Sequence, residues 1–142
     1  MTLYFEDVKV GDLVPPFQRT TGLENWNRFA AANDEFMPVH MDPDAARARG
    51  QKDTFGMGGL RQSYLQSMLR AWMDEEGAIR RFTCQHRGVN FKNDVLTAKG
   101  SVETKRVVDG TNLVDLKLWV ENQTGEIIDT GAATVALPGR RA

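Results

Sequence analysis

Cysteine is nearly missing from this chain: Cys84 is the single one in 142 residues. One thiol makes neither an internal disulfide nor a thiolate cluster for structural zinc, so both staples are excluded and a reducing compartment is expected. An excess of one charge is missing too, since 18 Lys+Arg stand against 19 Asp+Glu and the formal net charge is −1. No global field draws the chain to nucleic acid or to an anionic membrane, and neither is expected as a partner. No run approaches the roughly 20 apolar residues of a membrane span. The opening Met1-Thr2-Leu3-Tyr4-Phe5-Glu6-Asp7-Val8 has no basic region followed by an apolar one, so no secretory signal is read there and a cytoplasmic location is expected. Repeats and low-complexity tracts are absent as well. The length leaves room for one domain, 1–142, which can bury roughly 68–70% of the surface of its unfolded chain and so form a core without staples.

What is present is a change of period along the chain. Gly11-Asp12 and Pro15-Pro16 predict a loop and then an edge strand. Trp26, Phe29 and Ala30 at helical spacing predict a short helix over 22–33, with Thr21 or Gly22 at its cap. Residues 34–56, with Pro38 and Pro43, read as an ordered loop containing one turn of helix at 43–49. From Gly58, the residues Leu60, Tyr64, Met68 and Trp72 recur every fourth position with Leu65, Leu69 and Met73 beside them, which predicts one long apolar helix closed at 74–77. After Ile79 the period becomes two. Phe82, Cys84 and His86 alternate, Val89 and Phe91 continue on a shifted register after a bend at Gly88, and Leu96 to Val102 make a second strand. Val114 to Val120 and Ile127 to Leu137 make the third and fourth, joined by turns at Asp109-Gly110 and Thr124-Gly125. The expectation is an α+β domain of consecutive antiparallel strands curled around one helix.

Two segments carry residue types suited to chemistry. Asn33-Asp34-Glu35-Phe36-Met37-Pro38-Val39-His40-Met41-Asp42 places three carboxylates around one of only two histidines. A carboxylate and an imidazole on a stiff loop can hold a water and exchange its protons near neutrality; alternatively Asp34 or Asp42 caps a helix and His40 orders the loop. Asp53-Thr54-Phe55-Gly56-Met57-Gly58-Gly59-Leu60 opens directly into the apolar helix. Free N–H groups at such a helix start stabilise an oxygen that gathers negative charge, and glycine there also permits close packing of helix on sheet. No Lys-Ser/Thr follows, so the segment is not a phosphate loop.

Together these segments resemble the MaoC-like dehydratase family, whose (R)-specific enoyl-CoA hydratases, of the hydratase 2 type, have a hotdog fold. The family has an opening like Tyr4-Phe5-Glu6-Asp7-Val8-Lys9-Val10-Gly11-Asp12, then a short helix, a motif Gly-Asp-x-Asn-Pro-Ile-His-x-Asp, and a glycine starting the central helix. Val89-Asn90-Phe91-Lys92-Asn93-Asp94-Val95-Leu96 looks like the family's strand before its Gly-Asp turn. The likeness covers nearly the whole chain. Counting back from His40, the motif's acid falls on Glu35, with Asp34 one residue earlier, and the motif's Asn falls on Met37.

The resemblance implies reversible addition of water to a trans-2-enoyl-CoA, giving an (R)-3-hydroxyacyl thioester. Glu35 and His40 would hold the water, one taking its proton as oxygen attacks C3 and the other delivering a proton to C2. The thioester oxygen would rest on the backbone N–H of Gly58 or a neighbour. Asp34 is the alternative carboxylate. Phe55, Met57, Leu60 and Tyr64 are candidates for the acyl tunnel, Leu60 and Tyr64 being equally suited to plain core. Arg80, Arg81, Arg87 and Lys92 are candidates for the coenzyme's phosphates. His86 is expected to be structural and Cys84 a small buried hydrophobe. No metal and no cofactor are implied beyond the coenzyme A of the substrate, and a homodimer is expected from sheets paired edge to edge. Two other readings share the fold: a non-catalytic acyl-CoA-binding subunit of a heteromeric hydratase, and a thioesterase, against which stands the lack of Asp or Glu over 58–73.

Overall fold

A computed structural model describes residues 1–141. The apolar stripe forms helix α3, Gly58–Met73, with the predicted boundaries. Leu65 and Leu69 are fully buried, Tyr64, Met68 and Met73 nearly so. Asp74, at φ 60°, turns the chain out of the helix. The strands are β1 (Leu13–Thr20), β2 (Ala78–His86), β3 (Val95–Val108), β4 (Thr111–Glu121) and β5 (Ile127–Ala136). They form one antiparallel sheet in the order β1-β3-β4-β5-β2. Period-two alternation puts Val114, Leu116, Leu118 and Val120 of β4 on the face that packs in one core with α3, while their neighbours face outward. Asp109 and Gly110 both have positive φ, 48° and 78°, as the two-residue turn between β3 and β4 requires.

The expected meander fails at its first step. β2 does not pair with β3: β1 and β4 already occupy both sides of β3, so β2 crosses to the far edge and pairs with β5. The strand stops at His86, because the N–H groups of Arg87 and Gly88 both turn to the carbonyl of Ile128. Val89 and Phe91 therefore do not continue a strand; Phe91 makes only an isolated bridge to Phe55. β1 is an edge strand as expected, with a register shift between Val14 and Phe17 where Pro15 and Pro16 have no N–H to give.

Helix α1, Leu23–Asn33, packs at the start of α3. It follows Gly22, whose N–H donates to the Asn25 side chain at 2.9 Å. Its Trp26 and Ala30 are buried with Met57, and Phe29 and Leu60 pack against them, which fixes α1 on the start of α3. Asp34 ends α1 in the left-handed region, and Asp42 caps α2, Pro43–Ala48, by accepting from the N–H of Asp44 at 3.0 Å. Both are the capping roles the sequence allows them. Among the described residues no helix is long and apolar enough to cross a membrane.

Leu65 sits at the centre of this core, so Leu65→Ala is expected to cost about 2–5 kcal/mol in urea unfolding. A loss below about 1 kcal/mol would contradict a core organised around α3.

Candidate active site

A cavity of about 280 Å³ opens where the loop after α1 meets the start of α3. Glu35, Met37 and His40 line it from the loop, Met57, Gly58 and Gly59 from the start of the helix, Phe29 and Asn33 from α1, and His86 from the end of β2. A larger hollow of about 940 Å³ lies between Tyr4, Glu76 and residues 138–141. What distinguishes the smaller one is the convergence of a carboxylate, two imidazoles and a helix start.

Each group has a local reason for its place. Asp34 reverses the chain, and the N–H of Glu35 returns to the carbonyl of Ala30 at 3.0 Å, which brings the Glu35 side chain to the cavity. Pro38 starts a 3-10 turn, Pro38–His40, that carries His40. The Nδ1 of His40 meets the carbonyl oxygen of Phe55 at 2.7 Å. A carbonyl only accepts, so Nδ1 holds the hydrogen and Nε2 is the atom free for proton exchange. The Phe55 ring packs edge-on against the imidazole, with centroids 5.2 Å apart. Met57, the N-cap of α3, is extended and supplies no side-chain acceptor, so the first N–H groups of the helix keep their donors at the cavity.

Behind this surface lies a buried polar network that the sequence pattern did not reveal. Arg61 of α3 and Asp129 of β5 are 3% and 0% exposed, and the Nε of Arg61 donates to Oδ2 of Asp129 at 3.0 Å. The other guanidinium nitrogens donate to Oδ1 of Asn90 at 2.9 Å and to the carbonyl of Gly88 at 2.8 Å. Asn90 in turn donates to Oγ1 of Thr21 at 3.2 Å. The second oxygen of Asp129 meets Nδ1 of His86 at 3.1 Å. His86 thus has the satisfied nitrogen expected of it, yet it also faces the cavity. A Cβ at Gly58 would come within 2.6 Å of Nε2 of His86, so glycine at the helix start is what lets the ring sit there.

The other sequence candidates fall outside the cavity lining. Asp34 is exposed at the end of α1. Phe55 stands behind His40, and Leu60 packs between the two apolar clusters. Tyr64 belongs to the core beside Phe17, which burial on α3 explains. Arg87 bonds to Gln85 and Thr130 on the sheet surface, and Lys92 pairs with Asp53 at 3.1 Å. Arg80 and Arg81 are exposed on β2. Cys84 is half-buried, and burial with the nearby Asp129 carboxylate pushes its thiol up to about 11. A cysteine sulfur, a His86 nitrogen and an Asp129 oxygen lie within 4.8 Å of one another. Arg61 already neutralises Asp129 there, and the thiol keeps its proton at neutral pH, so the donor set suits a cation poorly.

No protein-family model matches the sequence, and no curated protein is similar enough to count as a relative. Solved structures do match. A MaoC-like dehydratase from Rhodospirillum rubrum is 19% identical with a TM-score of 0.84, and the match covers 99% of both chains. An (R)-hydratase from A. caviae involved in PHA biosynthesis is 22% identical with a TM-score of 0.83, over 94% of this chain and 99% of that one. A chain of the ChsH1-ChsH2 complex from Mycobacterium tuberculosis is 24% identical with a TM-score of 0.79, over 91% and 98%. The chain therefore has the hotdog fold of the MaoC-like dehydratases and (R)-hydratases.

Arg61→Met leaves Asp129 buried without its cation and is expected to cost about 3–5 kcal/mol. Adding Asp129→Asn should recover much of that loss in denaturant unfolding. An unchanged midpoint for the single variant would contradict a network that bears on stability.

Proposed function

We propose that this protein is an (R)-specific enoyl-CoA hydratase, working in either direction between a trans-2-enoyl-CoA and a 3-hydroxyacyl-CoA. The observation that carries the reading is the meeting of Glu35 and His40 at the uncapped start of α3. Glu35 and His40 hold the water, and one of them takes its proton as the oxygen bonds to C3. Charge then moves through the conjugated system onto the thioester oxygen, where the amides of Gly58 and its neighbour stabilise it in a site that needs no rearrangement. Protonation at C2 completes the addition. Met57 and Phe29 give the cavity the apolar wall that an acyl chain requires. The reaction needs no metal and no cofactor beyond the coenzyme A of the substrate, and with a lone half-buried thiol the protein suits a reducing, cytoplasmic setting.

The assembly proposed is a homodimer. Of the two sheet edges, β1 is interrupted by Pro15 and Pro16, whereas β2 offers nine residues without a proline. A second copy added along β2 would cover that edge. A second reading, a subunit that binds acyl-CoA beside a different active chain, is favoured by Met37, an apolar side chain lining the cavity between the two polar groups.

Glu35→Gln and His40→Ala are each expected to slow crotonyl-CoA hydration by about 10²- to 10⁴-fold, followed as loss of enoyl absorbance. Wild-type rates in both variants would refute the assignment. Hydration that appears only when a second small chain co-purifies would favour the subunit reading. Sedimentation equilibrium should give twice the 15.9 kDa of one chain, and a species of 15.9 kDa alone would exclude the homodimer.

A further inference from the structure

The reading above uses one histidine of the two that line the cavity. His86 lines the cavity from the end of β2, with its Nε2 against the Cα of Gly58. If the thioester oxygen rests on the first amides of α3, then C2, one bond from the carbonyl carbon, lies near that helix start, where Nε2 of His86 stands beside Gly58. We propose that His86 is the group that exchanges the proton at C2, with Asp129 and Arg61 as positioning residues. This rests on the enoyl thioester reading and replaces the expectation that the second member of the Glu35–His40 pair delivers that proton.

The geometry supports a base rather than a strut. A buried carboxylate holds the hydrogen of Nδ1, at 3.1 Å, so the lone pair of the neutral ring is on Nε2. Among the described residues Nε2 has no hydrogen-bond partner, and His86 lines the cavity. Asp129 orients the ring and fixes the tautomer whose Nε2 can take a proton, part of what a buried aspartate does behind a catalytic histidine in hydrolases. Arg61 fixes Asp129 through Oδ2, the oxygen that His86 does not use, and Arg61 is itself fixed by Asn90 and Gly88, so the carboxylate cannot swing away. The step balances in both directions. In dehydration the C2–H bond breaks, its proton goes to Nε2, the C–H electron pair forms the C2–C3 double bond, and hydroxide leaves C3 with a proton from the Glu35–His40 side. In hydration the imidazolium returns its proton to C2, and the proton lost by water reaches solvent from Glu35 or His40 as His86 regains one.

Butyryl-CoA isolates this step, because it has neither a double bond to hydrate nor a hydroxyl to eliminate. In D2O the wild-type protein should exchange the C2 hydrogens of butyryl-CoA, read by mass spectrometry or proton NMR. His86→Gln, which keeps a donor for Asp129 but has no base, should lower the exchange rate by about 10²-fold or more. Glu35→Gln should lower it less than His86→Gln does. Asp129→Asn, checked for native circular dichroism, should lower the maximal exchange rate with little change in the KM for butyryl-CoA. No exchange by the wild-type protein, or an unaltered rate in His86→Gln, overturns the proposal. His86-dependent exchange in a protein that does not hydrate crotonyl-CoA would refute the hydratase reading and leave the C2 assignment standing; hydration without such exchange would do the reverse.

Discussion

A guanidinium can stay on a helix wrapped by apolar sheet only when its charge is matched and each of its nitrogens has a hydrogen-bond partner. Arg61 meets that condition through Asp129, Asn90 and Gly88. One side chain therefore ties the start of α3 to β5 and to the segment that leads from β2 to β3. Its contact with Asp129 decides what faces the cavity, since Asp129 has a second oxygen and that oxygen holds His86. Stability and chemistry meet in this cluster: the pair contributes little net energy against an apolar replacement, yet loss of either half strands a buried charge.

The amino end of α3 is the other half of the design. Met57 leaves the first amides of the helix uncapped, and Gly56 and Gly58 have no Cβ because Asn90 and His86 occupy the space a Cβ would take. The glycine-rich run thus serves close approach and open donors together, the two readings the sequence left side by side. His40 is tuned differently, by a main-chain carbonyl that fixes its tautomer. Two imidazoles thus meet in one cavity, one oriented by a main-chain carbonyl and one by a carboxylate that it shares with Arg61.

Much of this was readable from local pattern. The helix at 58–73 and the strands from 95 onward follow the apolar period, and the turn at Asp109-Gly110 follows its residues. Glu35 and His40 were legible because only four residues, one of them a proline, separate them on one loop. The place of β2 was not legible, since which strand it joins depends on the sides of β3 already being filled. Arg61 and Asp129 are 68 residues apart, and no local window contains both. A signal did exist: Arg61 precedes Leu65 by one turn on the apolar stripe, and Asp129 follows buried Ile128 in a strand of apolar and small residues. Opposite charges at two such places are the mark of a buried pair. The eight sequence candidates outside the cavity lining lie there for ordinary reasons, core packing for Leu60 and Tyr64, capping for Asp34, surface pairing for Arg87 and Lys92, an exposed strand face for Arg80 and Arg81, and support of His40 for Phe55.

The account stands on a thioester carbonyl resting against the first amides of α3. Isotope-edited infrared spectroscopy of butyryl-CoA labelled at the carbonyl carbon, free and bound, tests that most directly. Polarisation by those donors predicts a carbonyl stretch that moves to lower frequency on binding. A bound ligand whose carbonyl stretch stays at its solution frequency would contradict the account.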